Sequence, residues 1–116
     1  MEFSEVLINR INSIQKVLAL KAEEYASNKS RYHNFEVAGR KAGTTPEKAL
    51  LGMMMKHVVA VDDLVDWIEE CPHKLTNEII QEKIGDNINY LILLEGMLLN
   101  RVEKPITSGA VEFSFK

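Results

Sequence analysis

The sequence predicts an all-α protein, a helical bundle of three long helices and one short helix. Apolar residues recur every three to four positions over most of the first 104 residues, which is the spacing of amphipathic helices. Helix-start and helix-stop residues fall at short breaks between these stretches. The 116 residues, 46% apolar and 27% charged, have the length and composition of one globular domain.

The first long helix is predicted over about residues 2–28, without an internal glycine or proline. Its apolar positions are Leu7, Ile11, Ile14, Leu18 and Tyr25. A short second helix, which contains Phe35, Val37, Ala38 and Ala42, is expected to end at Gly43. Glycine suits the left-handed conformation that often follows a helix.

The third helix is predicted to begin at Thr45-Pro46-Glu47, because a threonine cap, a proline and an acid are all favoured in a first turn. It runs to about Glu70, where Cys71-Pro72 ends it. The side chains expected on its apolar side are Leu50, Met54, His57, Val58, Val61, Val65 and Ile68.

The last long helix is predicted to start after Thr76 or Asn77 and to reach about Val102, before Lys104-Pro105. Its expected apolar seam is Ile80, Ile84, Ile88, Leu91 and Leu98. The second half of this helix is apolar nearly all round, and a chain of this length buries such a surface with difficulty. We therefore expect a homo-oligomer, a dimer or a tetramer.

The predicted domain spans residues 1–104, and residues 105–116 form a C-terminal tail. From Ala110 to Phe115 the tail alternates apolar and polar residues. A short strand, an arm on a neighbouring subunit and a disordered end all fit this pattern.

The charge and cysteine content point to a cytoplasmic protein, in the host cell if the chain is encoded by a phage. The net charge of −3 and the lack of a basic run argue against nucleic-acid binding. The single cysteine, Cys71, permits no internal disulfide. No signal peptide is expected at the N-terminus, and no segment is apolar enough for a membrane span.

A polar stripe on the last helix is the first candidate site. Glu82, Asp86 and Asn89 recur at i, i+4 and i+7, just before the apolar half. Asp63 and Asp66 share one face of the preceding helix, which should run antiparallel. Clustered carboxylates are costly without a cation, so convergence of these acids would predict Mg²⁺ or Mn²⁺.

Plainer interpretations exist for the same residues. Acids at these spacings are common on solvated helix faces. The segment from Arg31 to Phe35 is also typical of a helix-entry turn capped by Asn34, and His57 is also typical of a hydrogen-bonded core histidine. The sequence has no cysteine pair for zinc, no His-Asp doublet and no glycine-rich phosphate loop.

The order of the helices and acids resembles the all-α nucleoside triphosphate pyrophosphohydrolases of the MazG and dimeric dUTPase type. In that family, Glu-x-x-Glu on one helix faces Glu-x-x-Asp on the next, and the four acids bind Mg²⁺. The similar segments here are 63–66 and 82–86. The chain departs from the family at Lys83, which stands in place of a glutamate. When the third helix is aligned by its start at Pro46, Lys56 and His57 also fall where acids belong.

A second resemblance, over nearly the whole chain, is to small and mostly uncharacterised proteins of phages that infect low-GC Gram-positive bacteria. It rests on Lys21 to Ala26, Arg31 to Phe35, Lys56-His57 and Glu82 to Tyr90. This resemblance implies no activity, but it indicates which polar residues form a site.

The leading hypothesis is a MazG-like, Mg²⁺-dependent hydrolase that converts a nucleoside or deoxynucleoside triphosphate to the monophosphate and pyrophosphate. The metal ligands would be Glu24, Asp63, Asp66, Glu82 and Asp86, and the catalytic residues Glu24, Lys56, Glu82 and Asp86. The nucleotide-binding residues would be Lys21, Tyr25, Arg31, His33, Asn34, His57, Asn89 and Tyr90. The alternatives are a nucleotide-sequestering protein and a helical adaptor for a host or phage protein.

Overall fold

Four α-helices make up the protein in a computed structural model that describes residues 1–24 and 30–103, without the side chains of residues 21–24. The helices are α1 (Phe3–Glu24), α2 (His33–Ala42), α3 (Pro46–Glu70) and α4 (Asn77–Glu103), and a 3₁₀ turn spans Pro72–Lys74. The described residues contain no strand, so the predicted all-α class is confirmed. The predicted tail, and the predicted end of the first helix at residue 28, lie outside the described residues.

The core lies where α2, α3 and the C-terminal half of α4 meet. Its buried centre consists of Phe35, Leu50 and Met97, and five partly buried side chains pack against it: Tyr32, Met53, Tyr90, Leu93 and Leu94. Helix α3 packs against both α2 and α4, and α1 lies against α4. The three C-terminal helices therefore form the body of the domain, and α1 is added along one side.

The helix boundaries follow the capping chemistry that the sequence predicts. The Thr45 hydroxyl accepts a hydrogen bond from the Lys48 N–H at 3.2 Å, and Pro46 is the first residue of α3. The Thr76 hydroxyl accepts one from the Ile79 N–H at 3.2 Å, so Thr76 caps α4. Gly43 follows α2 with φ 69°. These predictions depend on neighbours within one turn, and the structure confirms them.

The buried faces of α3 and α4 agree only in part with those predicted, since Leu50 and Met54 of the predicted side of α3 are buried. On α4, Leu91 and Leu98 of the predicted seam are 52% and 50% exposed, whereas Gly85 and Met97 are buried. On α3, Leu64 is buried, whereas Val65 and Ile68 of the predicted apolar side are exposed. Both helices are apolar on more than one face, and periodicity alone does not say which face a neighbouring helix covers.

Gly85 of α4 lies where Arg10 of α1 packs against α4. The Arg10 guanidinium donates a hydrogen bond to the Gln81 carbonyl at 3.0 Å and passes directly over Gly85. A Cβ at position 85 would collide with the Arg10 guanidinium. The glycine of the Ile84-Gly85-Asp86 segment therefore makes room for α1.

An ion pair joins the start of α3 to the end of α4. Arg101 donates two hydrogen bonds of 2.9 Å to the two carboxylate oxygens of Glu47. Hydrogen bonding by Arg101 lowers the pKa of the Glu47 carboxyl below its ordinary value. This pair stabilises the fold at pH values above the ordinary carboxyl pKa. The stabilisation is lost as the pH falls through the lowered pKa of Glu47.

Apolar surface remains uncovered on all three long helices. Among the described residues, nineteen large apolar side chains are exposed, whereas five apolar side chains are buried. A span of the bilayer needs a longer apolar stretch than any helix in the described part of the chain has. The predicted homo-oligomer stays a prediction, and these exposed side chains are its physical basis.

Candidate functional site

A pocket of about 280 Å³ lies where α1, α2, α3 and α4 approach one another. Its polar and aromatic wall contains six of the residues that the sequence predicts for the site: Arg31, Asn34, His57, Asp86, Asn89 and Tyr90. The rest of the wall is apolar: Val17, Leu18, Phe35, Met53 and Leu93. Residues from four separate stretches of the chain thus meet around one cavity.

His57 of α3 and Asp86 of α4 lie in contact in this wall. The His57 Nδ1 atom lies 3.4 Å from Asp86 Oδ2, and the two side chains are 20% and 36% exposed. A carboxylate beside an imidazole nitrogen orients the ring and leaves the other nitrogen, Nε2, available to bind a ligand or accept a proton. The pair can therefore bind an anion when His57 is charged and act as a base when it is neutral.

Asn87 connects the two helices that carry this pair. Its side-chain amide donates hydrogen bonds to the His57 carbonyl at 2.8 Å and to the Lys83 carbonyl at 2.9 Å. The second bond holds Asn87 to its own helix, and the first joins α4 to α3. This amide therefore helps to hold α4 against α3 beside the contact between His57 and Asp86.

Tyr90 extends the wall as an aromatic surface. Its ring centre lies 4.9 Å from that of His57 and 5.9 Å from that of Phe35, which meets it edge-on. Burial, and after it the negative charge of Asp86, raises the pKa of the Tyr90 phenol above its ordinary value. The hydroxyl is therefore a stable hydrogen-bond donor at neutral pH.

The raised pKa of Tyr90 has a measurable consequence. In a spectrophotometric titration, the component that disappears in Tyr90→Phe is expected to titrate above 10.0, the ordinary tyrosine value. Asp86→Asn should lower that pKa only in part, because burial is the larger cause. Stability should fall as the pH rises past 10, because the unfolded chain releases this proton first. A Tyr90 component at or below the ordinary value would contradict the burial of this ring.

Asn89 brings an unused hydrogen-bond acceptor to the pocket. Its Oδ1 atom is buried and has no hydrogen-bond partner among the described residues. A buried polar atom without a partner is uncommon in folded proteins, because its desolvation is not compensated. For a ligand N–H or O–H to satisfy this atom, the Asn89 side chain has to turn toward the cavity.

Among the side chains that the structure describes, the predicted carboxylates do not come together. Asp63, Asp66 and Glu82 are exposed and lie outside the pocket wall. The described residues contain no group of three or more acids, histidines or cysteines that could hold a metal. His57 lies opposite Asp86, so Asp63 is six residues, or about 9 Å, further along α3 from Asp86, and both Asp63 and Glu82 lie on exposed helix faces.

The remaining predicted residues divide into two groups. Lys56 is exposed on α3, and His33 is half-buried at the start of α2, outside the wall. The backbone of Lys21 and Glu24 belongs to α1, but their side chains, and all of Tyr25, lie outside the described residues. Asn34 lies in the first turn of α2, after Tyr32 at the cap position, so it does not cap this helix.

The contact between His57 and Asp86 is the feature that sequence reasoning missed. The two residues lie on different helices and form no doublet in the sequence. The available signal was that each stands in a polar segment interrupting an apolar helix. Their meeting depends on how α3 packs against α4, which no local pattern reveals.

The fold and the site define an all-α helical protein with a polar, partly aromatic pocket between its helices. Comparison of the chain with protein-family models, with curated proteins and with solved structures finds no match. The chemistry of the pocket is therefore the basis on which a function is proposed.

Proposed function

We propose that this protein binds a nucleotide in the pocket between its four helices. The observation that carries the proposal is the convergence of Arg31, Asn34, His57, Asn89 and Tyr90 around one cavity. Together they offer a cation, a titratable ring, two amides and an aromatic face. These are the groups that bind a phosphate, a sugar and a base.

Each part of a nucleotide has a matching part of the wall. The Arg31 guanidinium suits a phosphate, because its planar N–H groups can donate two hydrogen bonds to phosphate oxygens. The Tyr90 ring, which lines the cavity, offers aromatic surface to a base. The amides of Asn34 and Asn89 can bond to the polar edge of the base or to sugar hydroxyls. The cavity, at about 280 Å³, is close to the lower end of the usual size for small-molecule pockets.

Hydrolysis of the bound nucleoside triphosphate to the monophosphate and pyrophosphate, as in MazG-like enzymes, is the second candidate function. It is favoured by the contact of Asp86 with His57 at the pocket, because such a pair can accept a proton from water. Asp86 also suits Mg²⁺ or Mn²⁺, which is commonly held by one or two carboxylates together with substrate phosphates. The metal would polarise the phosphates and acidify a bound water.

The deciding experiment is a panel of ribo- and deoxyribonucleoside triphosphates, each incubated with the full chain and with Mg²⁺, Mn²⁺ or EDTA. We expect at least one nucleotide to bind, as measured by calorimetry. In the hydrolytic case, monophosphate and pyrophosphate appear in a metal-dependent reaction, and Asp86→Asn abolishes turnover while the circular dichroism spectrum is unchanged.

The outcomes of the panel separate the candidates. Binding without turnover supports a nucleotide-sequestering protein, and turnover that persists in Asp86→Asn contradicts the hydrolytic assignment. A chain that binds none of the nucleotides contradicts both and favours the adaptor for a host or phage protein. Two further parts of the proposal have separate grounds. The MazG-like arrangement of helices rests on the resemblance, and the homo-oligomer rests on the exposed apolar surface.

A further inference from the structure

One side of α3 carries an apolar stripe that faces away from the core. Leu51, Met55, Val58 and Val59 are 49%, 59%, 38% and 50% exposed. Positions 51, 55 and 58 have the alternating spacing of four and three residues that forms the seam of a coiled coil. Met53 and His57 line the pocket from another side of α3, so this stripe is separate from the nucleotide site.

A glycine inside this helix, Gly52, makes room for no neighbour among the described residues. A Cβ built at Gly52 meets no atom of the described residues within 4 Å, whereas one at Gly39 or Gly85 would collide with a neighbour. Glycine is among the least favourable residues in a helix interior. Its usual advantage is to let another chain segment approach the backbone closely.

We infer that this stripe is the interface of a homodimer, in which α3 of a second copy packs antiparallel across a two-fold axis at Met55. In a two-fold interface, the same surface of both copies takes part. An axis at Met55 places Leu51 opposite Val59 of the partner subunit. It also places Val58 opposite Gly52 of the partner subunit, where the missing side chain leaves room.

Charge complementarity favours a second copy as the occupant. The same axis places the exposed Lys48 opposite Asp62 of the partner subunit, and the pairing is repeated on the other side of the axis. Asp62 continues the four-three spacing of the stripe. A charge in an apolar seam fixes the register when it meets an opposite charge. The inference goes beyond nucleotide binding and stands whether or not a nucleotide binds.

The first test is the mass of the full chain in a sedimentation series over a wide concentration range. We expect a concentration-dependent dimer and at least a hundredfold weaker association for Met55→Glu, because two carboxylates would meet at the axis. Leu98→Glu is the matched control, since Leu98 is 50% exposed on α4. The control should dimerise like the wild type, and both variants should keep the wild-type helical spectrum.

Two outcomes would overturn the inference. One is a wild-type chain that remains monomeric throughout the series. The other is a dimer that Leu98→Glu disrupts and Met55→Glu leaves intact. Nucleotide binding is measured on the same samples, so failure of the dimer and failure of the proposed function are distinguishable.

A second test addresses the register. Lys48→Glu and Asp62→Lys should each weaken the dimer about tenfold, and the double variant should restore it. In a Cys71→Ser background, Met55→Cys should form a disulfide between two copies under mild oxidation, whereas Lys56→Cys, on another side of α3, should not. Additive losses in the double variant, or cross-linking through position 56 alone, would exclude an antiparallel axis at Met55.

Discussion

Truncation of Leu50 to alanine is expected to lower the free energy of unfolding by about 2–5 kcal/mol. Leu50 is fully buried, with no exposed surface, at the centre of the cluster formed with Phe35 and Met97. The loss has two parts, the transfer free energy of the removed methyl groups and the cavity left behind. Because few side chains of the described residues are buried, the neighbours have little other packing to compensate.

The size of this loss matters because small domains are marginally stable. A total free energy of unfolding of about 5–15 kcal/mol is typical, so Leu50→Ala should remove a large fraction of it. Urea unfolding followed by circular dichroism measures the change. Leu99→Ala is the matched control, because Leu99 is 56% exposed on α4, and it should cost less than about 1 kcal/mol. Equal losses in the two variants would mean that the core is not centred on Leu50.

The stability test also bears on the functional site. Phe35 of the core cluster lines the pocket, and Tyr90 meets Phe35 edge-on. A partly loosened core should therefore reduce ligand binding as well as stability. Among core variants, the loss of nucleotide affinity should increase with the loss of free energy of unfolding. A residue that contacts the nucleotide directly should lower the affinity without that loss of stability.

Helix class, number and boundaries were predictable from the sequence because they depend on local chemistry. The cap at Thr45 and the left-handed Gly43 each involve a few consecutive residues. The side of each helix that becomes buried was less predictable. Val65 and Leu64 are adjacent and both apolar, yet Leu64 is buried and Val65 is exposed. Which of them is covered depends on where the neighbouring helices lie.

The candidate site was also predictable only in part. The residues singled out because they interrupt apolar helices include Asp86 and Asn89, which line one cavity in the structure. The predicted carboxylates do not meet among the described residues, because Asp63, Asp66 and Glu82 lie on exposed helix faces, outside the pocket wall that contains Asp86. Which faces of α3 and α4 meet depends on contacts between distant residues, such as the hydrogen bond from the Asn87 amide to the His57 carbonyl. Such a contact has no signature in the sequence.

Replacement of Arg31 by alanine is expected to weaken nucleotide binding about 10- to 100-fold, the loss typical of one charge-assisted hydrogen-bonding group. Arg31 is the cation among the described residues of the pocket wall. It lies just before α2, so its removal takes nothing from the core cluster. Calorimetry of the full chain, with a nucleotide that the panel identifies, measures the change.

The control for Arg31→Ala is Arg40→Ala. Arg40 is exposed in the last turn of α2, away from the pocket wall, so its removal changes the net charge equally without touching the site. Arg31→Lys keeps the charge but loses the planar, two-bond geometry, and it should recover only part of the affinity. If Arg40→Ala weakens binding as much as Arg31→Ala does, the phosphate responds to the overall charge, and Arg31 does not contact it. A loss confined to position 31, smaller for lysine than for alanine, would place the phosphate against this guanidinium.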